Sequence, residues 1–284
     1  MTEGRTWVGI GEALLSSGPG GETVAGLAAT WPMMAVRLGV PAVTVARVGQ
    51  DANGERIART LREHGVDVSA MQYDPDLATG RLTIRSLAGR ITSMLDARAA
   101  FDNLQWDFDM EDVAQQADVV MFGDLARREA QTRTTIDRFL TCCPHALRVY
   151  DLTNRATDAI DRAGAVRAAS FAQGVVMDEI AVRALSPGER DKPLDLAASS
   201  LLRPLGVLFI VLFDGASMRV VSESGVSGRD EAIAPATREA ALAGLIRGVL
   251  DGRDWPRSLV VAGRVAHHVA SSSGERIPDD LLRA

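Results

Sequence analysis

Between residues 206 and 213 the chain reads GVLFIVLF, a run without one polar side chain. A strand that is apolar on both faces belongs inside a mainly parallel sheet with helices over each side. Shorter, largely apolar runs recur at Trp7–Gly11, Pro41–Val48 (PAVTVARV), Asp118–Phe122 (DVVMF), Ala146–Tyr150 (ALRVY) and Gly174–Met177. Helical spacing appears between and after them. Asn53–His64 places Ile57 and Leu61 four apart and stops at Gly65, and further helices are predicted over Glu129–Leu140, Asp178–Leu185, Pro235–Leu250 and Ser258–Ser271. Gly65 suits a helix end and Pro235 a helix start, because glycine accepts the left-handed conformation and proline lacks an N–H that would be unpaired there.

This β-α alternation predicts an α/β fold in which ligands bind at the carboxyl ends of the strands. Two short segments break the rhythm. Gly80–Leu87 and Ile91–Leu95, with Ala88-Gly89-Arg90 between them, read as a hairpin that forms a small β lid. Asp214-Gly215 is a second turn, leading into a strand over Met218–Ser222. No repeat, low-complexity tract or linker divides the chain. The expectation is one domain over residues 1–284, with lid segments at about 12–30 and 78–100.

Composition narrows the class. With 284 residues, 46% hydrophobic and 24% charged, the chain can bury a large core without covalent staples. A net charge of −6 argues against a nucleic-acid-binding face, which is basic. Cys142 and Cys143 are adjacent, which is neither a redox nor a zinc spacing; they read as small apolar residues in a reducing compartment. The start, MTEGRTWVGIGEALL, has no basic segment followed by an apolar one, and no run approaches the roughly 18 apolar residues of a membrane span. A cytoplasmic location without membrane contact is therefore expected, with a small-molecule substrate.

Ordered motifs carry more information. Gly11-Glu12-Ala13-Leu14 follows the first strand, and Arg37-Leu38-Gly39 ends a first helix. Val48-Gly49-Gln50-Asp51-Ala52-Asn53-Gly54 matches V-G-x-D-x-x-G; LREHGVDV (Leu61–Val68) matches L-x-x-x-G-V-D. Asp151-Leu152-Thr153-Asn154-Arg155 is similar to D-x-N-x-R, with Thr153 in the asparagine position. In this order and spacing the segments resemble the ribokinase-like (PfkB-type) carbohydrate kinases over nearly the whole chain. The resemblance implies a three-layer sandwich with a mainly parallel central sheet and a small β lid. It also implies ATP and magnesium as phosphoryl donor, a sugar or sugar acid as acceptor, and a homodimer formed through the lid; no metal-ligating residues are assigned in this sequence.

The same resemblance locates the site and its departures. In the family, D-T-x-G-A-G-D opens a long helix: its glycine turn aims N–H groups at the transferring phosphate, and its last aspartate is the general base. Aligned on the helix Ala240–Leu250, this motif falls on Ile233–Glu239. Ala236, Thr237 and Arg238 replace G-A-G, and Glu239 replaces the base. Placing the base at Asp230 instead would put Pro235 inside the following helix, at a cost of about 3 kcal/mol. The sugar-contacting aspartate falls on Ser16, and the G-G-x-x-x-N loop on Ala25-Gly26 and Thr30. The magnesium-linked N-x-x-E falls on Asp178 to Ala181 without its glutamate, and the nucleotide-side T-L-G on Leu212-Phe213-Asp214.

These changes imply a kinase homologue whose phosphoryl transfer is weakened or lost. The alternative is a non-catalytic sugar- or nucleotide-binding or interaction protein on the same fold. Candidate catalytic residues are Glu239 and Arg238. Candidate nucleotide-side residues are Ala236, Thr237, Asp214 and Asp178, and candidate sugar-side residues are Glu12, Ser16, Gly26, Thr30 and Arg98. Plainer readings stand beside these. Glu239 suits any helix's first turn; Arg238 and Arg98 read first as solvated cations; Asp51 reads as a helix cap. Asp151 and Arg155 read either as a structural pair at a strand end or as nucleotide-side residues, and Trp31, Trp106, Trp255, His267 and His268 as packing or surface residues. Gly18, Gly20 and Gly21 read as a flexible loop, because no phosphate-loop lysine follows them.

Overall fold

The computed structural model describes residues 5–87, 90–153, 159–228, 232–272 and 274–283. They form two units, one of residues 5–36 and 41–146, the other of residues 37–40, 147–153 and 159–283.

The first unit contains β1 (Thr6–Gly11), β2 (Leu14–Gly18), β3 (Gly21–Ala25), α1 (Leu27–Arg37, whose last residue belongs to the second unit), β4 (Ala42–Gly49), α2 (Ala52–Glu63) and β5 (Met71–Asp74). It continues with β6 (Arg81–Leu87), β7 (Arg90–Leu95), α3 (Phe108–Gln116), β8 (Ala117–Gly123) and α4 (Ala130–Thr141). β5, β4, β1 and β8 lie side by side, all parallel. A smaller sheet runs β3-β2-β6-β7, with antiparallel pairs at both edges and a parallel pair in the middle. This is the expected lid, and it is larger than the hairpin of residues 80–95. The glycines at 18–21, read above as a flexible loop, turn β2 into β3. Gly21 supplies the positive φ (102°) that a tight reversal uses. Residues 88–89 of the expected lid turn lie outside the described residues.

Beside β1 the packing is tight. A Cβ on Gly9 would come within 2.8 Å of Pro32 in α1. Trp7 stacks on Trp31, ring centroids 5.0 Å apart and planes within 10°, both indoles fully buried. Trp31 is therefore a core residue.

The second unit contains β9 (Leu147–Asp151), α5 (Arg162–Ala169), β10 (Gly174–Asp178), α6 (Glu179–Leu185), α7 (Leu194–Ser199), α8 (Leu202–Leu205) and β11 (Phe209–Asp214). It ends with β12 (Ser217–Ser222), β13 (Gly225–Gly228), α9 (Arg238–Leu250) and α10 (Trp255–Ser271). The strand order is β9-β10-β11-β12-β13, parallel as far as β11 and antiparallel beyond it. The apolar run that dominates the sequence becomes β11, although the strand begins at Phe209 rather than Gly206. Gly206 takes φ 69° and closes α8, so the first residues of the run connect rather than pair. Trp255 packs against Phe209 at 5.0 Å. Among the described residues no disulfide joins Cys142 and Cys143, and no helix is long and apolar enough to cross a membrane.

Candidate functional site

Glu12, Gly26 and Thr30 meet at the start of α1. Glu12 is fully buried; its Oε1 accepts the Leu27 N–H at 2.7 Å and its carbonyl accepts the Ala28 N–H at 3.0 Å. Gly26 sits at φ 92°, and a Cβ there would lie 2.5 Å from the Glu12 carbonyl oxygen, so this approach needs glycine. The Gly26 carbonyl accepts from both N–H (2.9 Å) and Oγ1 (3.1 Å) of Thr30. Glu12 thus shapes the turn and offers no exposed surface to a sugar hydroxyl. Ser16 stands apart on β2 of the lid sheet, half-buried, opposite Thr23 and beside Leu82. Arg98 is exposed beyond β7.

The stalks of the lid are held by carboxylates, an arrangement the sequence reading missed apart from Asp51. Asp51 caps α2 by accepting the Gly54 N–H at 2.8 Å. Its carboxylate also accepts the N–H (2.8 Å) and hydroxyl (2.7 Å) of Thr79 in the first stalk. Asp74 accepts from Arg47 Nε (2.7 Å), from Asn103 Nδ2 (2.8 Å) and from the Asp76 and Leu77 N–H groups, joining the stalk at 74–79 to that at 99–103. Asp102, also buried, accepts from Nε and Nη2 of Arg128 at 2.7 and 2.6 Å and from the Ala99 N–H at 2.8 Å.

Burial pushes the Asp74 carboxyl up, but the bonds from Asn103, the two N–H groups and Arg47 outweigh it and hold the group well below the usual carboxylate range. A depressed carboxyl contributes stability above its unfolded value and loses it as pH falls towards the folded one. Stability should therefore drop as pH falls below about 4, and Asp74→Asn should flatten that dependence. Urea midpoints measured across pH for both proteins check this; parallel curves would contradict it.

In the second unit the segment before α9 is not the open glycine turn that the resemblance implies. Pro235–Thr237 forms a single 3-10 turn that runs straight into the helix. The Thr237 N–H donates to the Ala234 carbonyl at 2.8 Å, the Thr237 hydroxyl to the same carbonyl at 3.0 Å, and the Arg238 N–H to the Pro235 carbonyl. Ala234, Thr237 and Arg238 all have negative φ (−63°, −114° and −59°). The alternative base, Asp230, lies outside the described residues.

Side chains there are partly committed as well. Thr237 is buried, Ala236 and Glu239 are exposed, and Glu239 occupies the first turn of α9. Arg238, expected either in solvent or at a phosphate, is half-buried. Its Nη2 donates to the Gly215 carbonyl at 2.7 Å, and its guanidinium carbon lies 5.2 Å from the Phe213 ring centroid. Asp214, half-buried, ends β11 at this turn, where its carbonyl accepts the Ser217 hydroxyl. Asp178 caps α6 by accepting the Ala181 N–H at 2.9 Å. Asp151 accepts the N–H and hydroxyl of Thr153, and Arg155 lies outside the described residues.

Two amides of the turn at 234–239, those of Thr237 and Arg238, are bonded within it and not directed at a ligand. Among the described residues no three His, Cys, Asp or Glu side chains are grouped so as to hold a metal ion.

Comparison with known proteins agrees with the family resemblance. The pfkB family carbohydrate kinases match residues 18–166. No curated protein matches the sequence. Among solved structures, a PfkB protein from Polaromonas is similar with a TM-score of 0.79 at 18% identity, over 99% of this chain and 100% of its own. A putative ribokinase II from E. coli, solved with ATP and Mg2+, gives 0.78 at 18% identity over 95% and 94%. A fructokinase from Xylella fastidiosa with bound ATP gives 0.80 at 14% identity over 97% of each chain. These likenesses carry the ribokinase-like fold, with its large, mainly parallel sheet and smaller second sheet, and the family match carries the membership: the chain belongs to the PfkB family of carbohydrate kinases.

Proposed function

We propose that this protein is a sugar or sugar-acid kinase of the PfkB type in which phosphoryl transfer is strongly attenuated at the turn before α9. The observation that carries the reading is the internal pairing of the Thr237 and Arg238 amides with the Ala234 and Pro235 carbonyls. Amides bonded inside a 3-10 turn do not stabilise charge on a transferring phosphate, and losing one such donor typically costs about 10²–10³ in rate. Glu239 retains a carboxylate where the family base aligns, but one methylene longer, and a displacement of about 1 Å can cost roughly 10²-fold by itself. ATP with magnesium is the donor that the family membership supports. A homodimer through the lid sheet is part of the proposal, and a monomeric mass by light scattering at micromolar concentration would count against it.

A coupled assay for nucleoside diphosphate release, run over a panel of ketoses, aldoses and sugar acids, tests the reading. The expected turnover lies well below the roughly 1–10³ s⁻¹ of ordinary enzymes. A rate inside that range that is abolished by Glu239→Ala would contradict the attenuation.

A further inference from the structure

Arg238 stands in the first turn of α9, where the helix dipole disfavours a cation. It is nevertheless held in one pose. Its Nη2 donates to the Gly215 carbonyl at 2.7 Å, its guanidinium lies over the Phe213 ring at 5.2 Å, and its Nε is buried without a hydrogen-bond partner. The family resemblance aligns the nucleotide-side T-L-G segment on Leu212-Phe213-Asp214.

We infer that Arg238 is an autoinhibitory latch: docked on Phe213 and Gly215, its guanidinium covers the surface that a nucleoside triphosphate must reach. This rests on the functional reading above for the class of ligand. The latch is poised to open. One charge-assisted hydrogen bond from the guanidinium and a cation–π contact hold it shut, while the buried Nε–H lacks the partner that water would supply once the side chain swings out. A nucleotide therefore competes with the docked side chain, and its apparent affinity is scaled by the fraction of molecules in which the latch is open.

Calorimetric titration of ATP with magnesium into the full-length protein and into Arg238→Ala and Arg238→Lys tests the latch. Removing the guanidinium should tighten ATP binding by about tenfold. Lysine should tighten it in the same direction, because an ammonium does not form the planar contact with both the ring and the carbonyl. Weaker binding by Arg238→Ala with partial retention by lysine would make Arg238 an anion ligand and overturn the latch. Equal affinity in all three proteins, or binding by none, would overturn it too. Turnover of the variant A236G/T237A/R238G/E239D separates this from the functional reading. If it rises while Arg238→Ala leaves ATP affinity unchanged, the latch fails and the attenuation stands. If Arg238→Ala tightens binding while that variant gains no turnover, the attenuation fails instead.

Discussion

The variant A236G/T237A/R238G/E239D, which rewrites the turn before α9 in the family's pattern, should phosphorylate its sugar at least about 10²-fold faster than the natural protein, measured as kcat/KM. Glycine at 236 and 238 opens positive φ to a segment whose defined φ values are now all negative, so that the amides at 237 and 238 can leave the Ala234 and Pro235 carbonyls. The shorter aspartate withdraws the carboxylate by one methylene. A second effect marks the change as local. Glycine in a helical first turn costs up to about 1 kcal/mol relative to alanine, so the variant should gain rate while losing a few degrees of Tm. A loss of Tm without a gain in rate would mean that the turn is not what limits the chemistry.

Asp102→Ala should have the largest effect on stability. Asp102 is buried and accepts from Nε and Nη2 of Arg128 and from the Ala99 N–H, and Arg128 in turn lies 4.8 Å over the Phe101 ring. Removing one partner of such a pair leaves a poorly solvated cation and an unpaired amide, at about 3–5 kcal/mol. In a protein of this size that corresponds to a fall in Tm of roughly 10 °C. Thermal unfolding followed by circular dichroism reads it directly, and a fall below about 2 °C would show the pair to be dispensable. Asp102→Asn, which keeps the shape and loses the charge, should fall between.

Much of the fold could be read in the sequence because burial on both faces of a strand leaves a plain mark. The runs at Trp7–Gly11, Pro41–Val48 and Asp118–Phe122 became β1, β4 and β8 with little change of boundary. Errors arose where local chemistry is ambiguous. LLSSG carries no alternation, so β2 was invisible, and the glycines after it mark a turn as readily as a loose loop. The helix α3 (FDMEDVAQQ) is not among the expected elements, although Asp107, which caps it by accepting the Met110 N–H, is a usable start signal.

The site was legible to the level of motif position but not of contact. Asp51 could be identified as a cap from its place before a helix, whereas its second set of bonds, to Thr79, depends on chain separated by 28 positions. Arg238 could be seen to replace a glycine, yet its docking on Phe213 and Gly215 is a tertiary event that no spacing encodes. Glu12 follows the family's opening motif, and only the fold reveals that its carboxylate is enclosed by the start of α1.

The amides of Thr237 and Arg238 decide the matter. A crystal structure with a non-hydrolysable ATP analogue and magnesium at saturating concentration would show where they point. The account predicts that both remain on the Ala234 and Pro235 carbonyls, with the terminal phosphate absent from the turn. A terminal phosphate accepting from either amide, with Glu239 in contact with an acceptor hydroxyl, would contradict it.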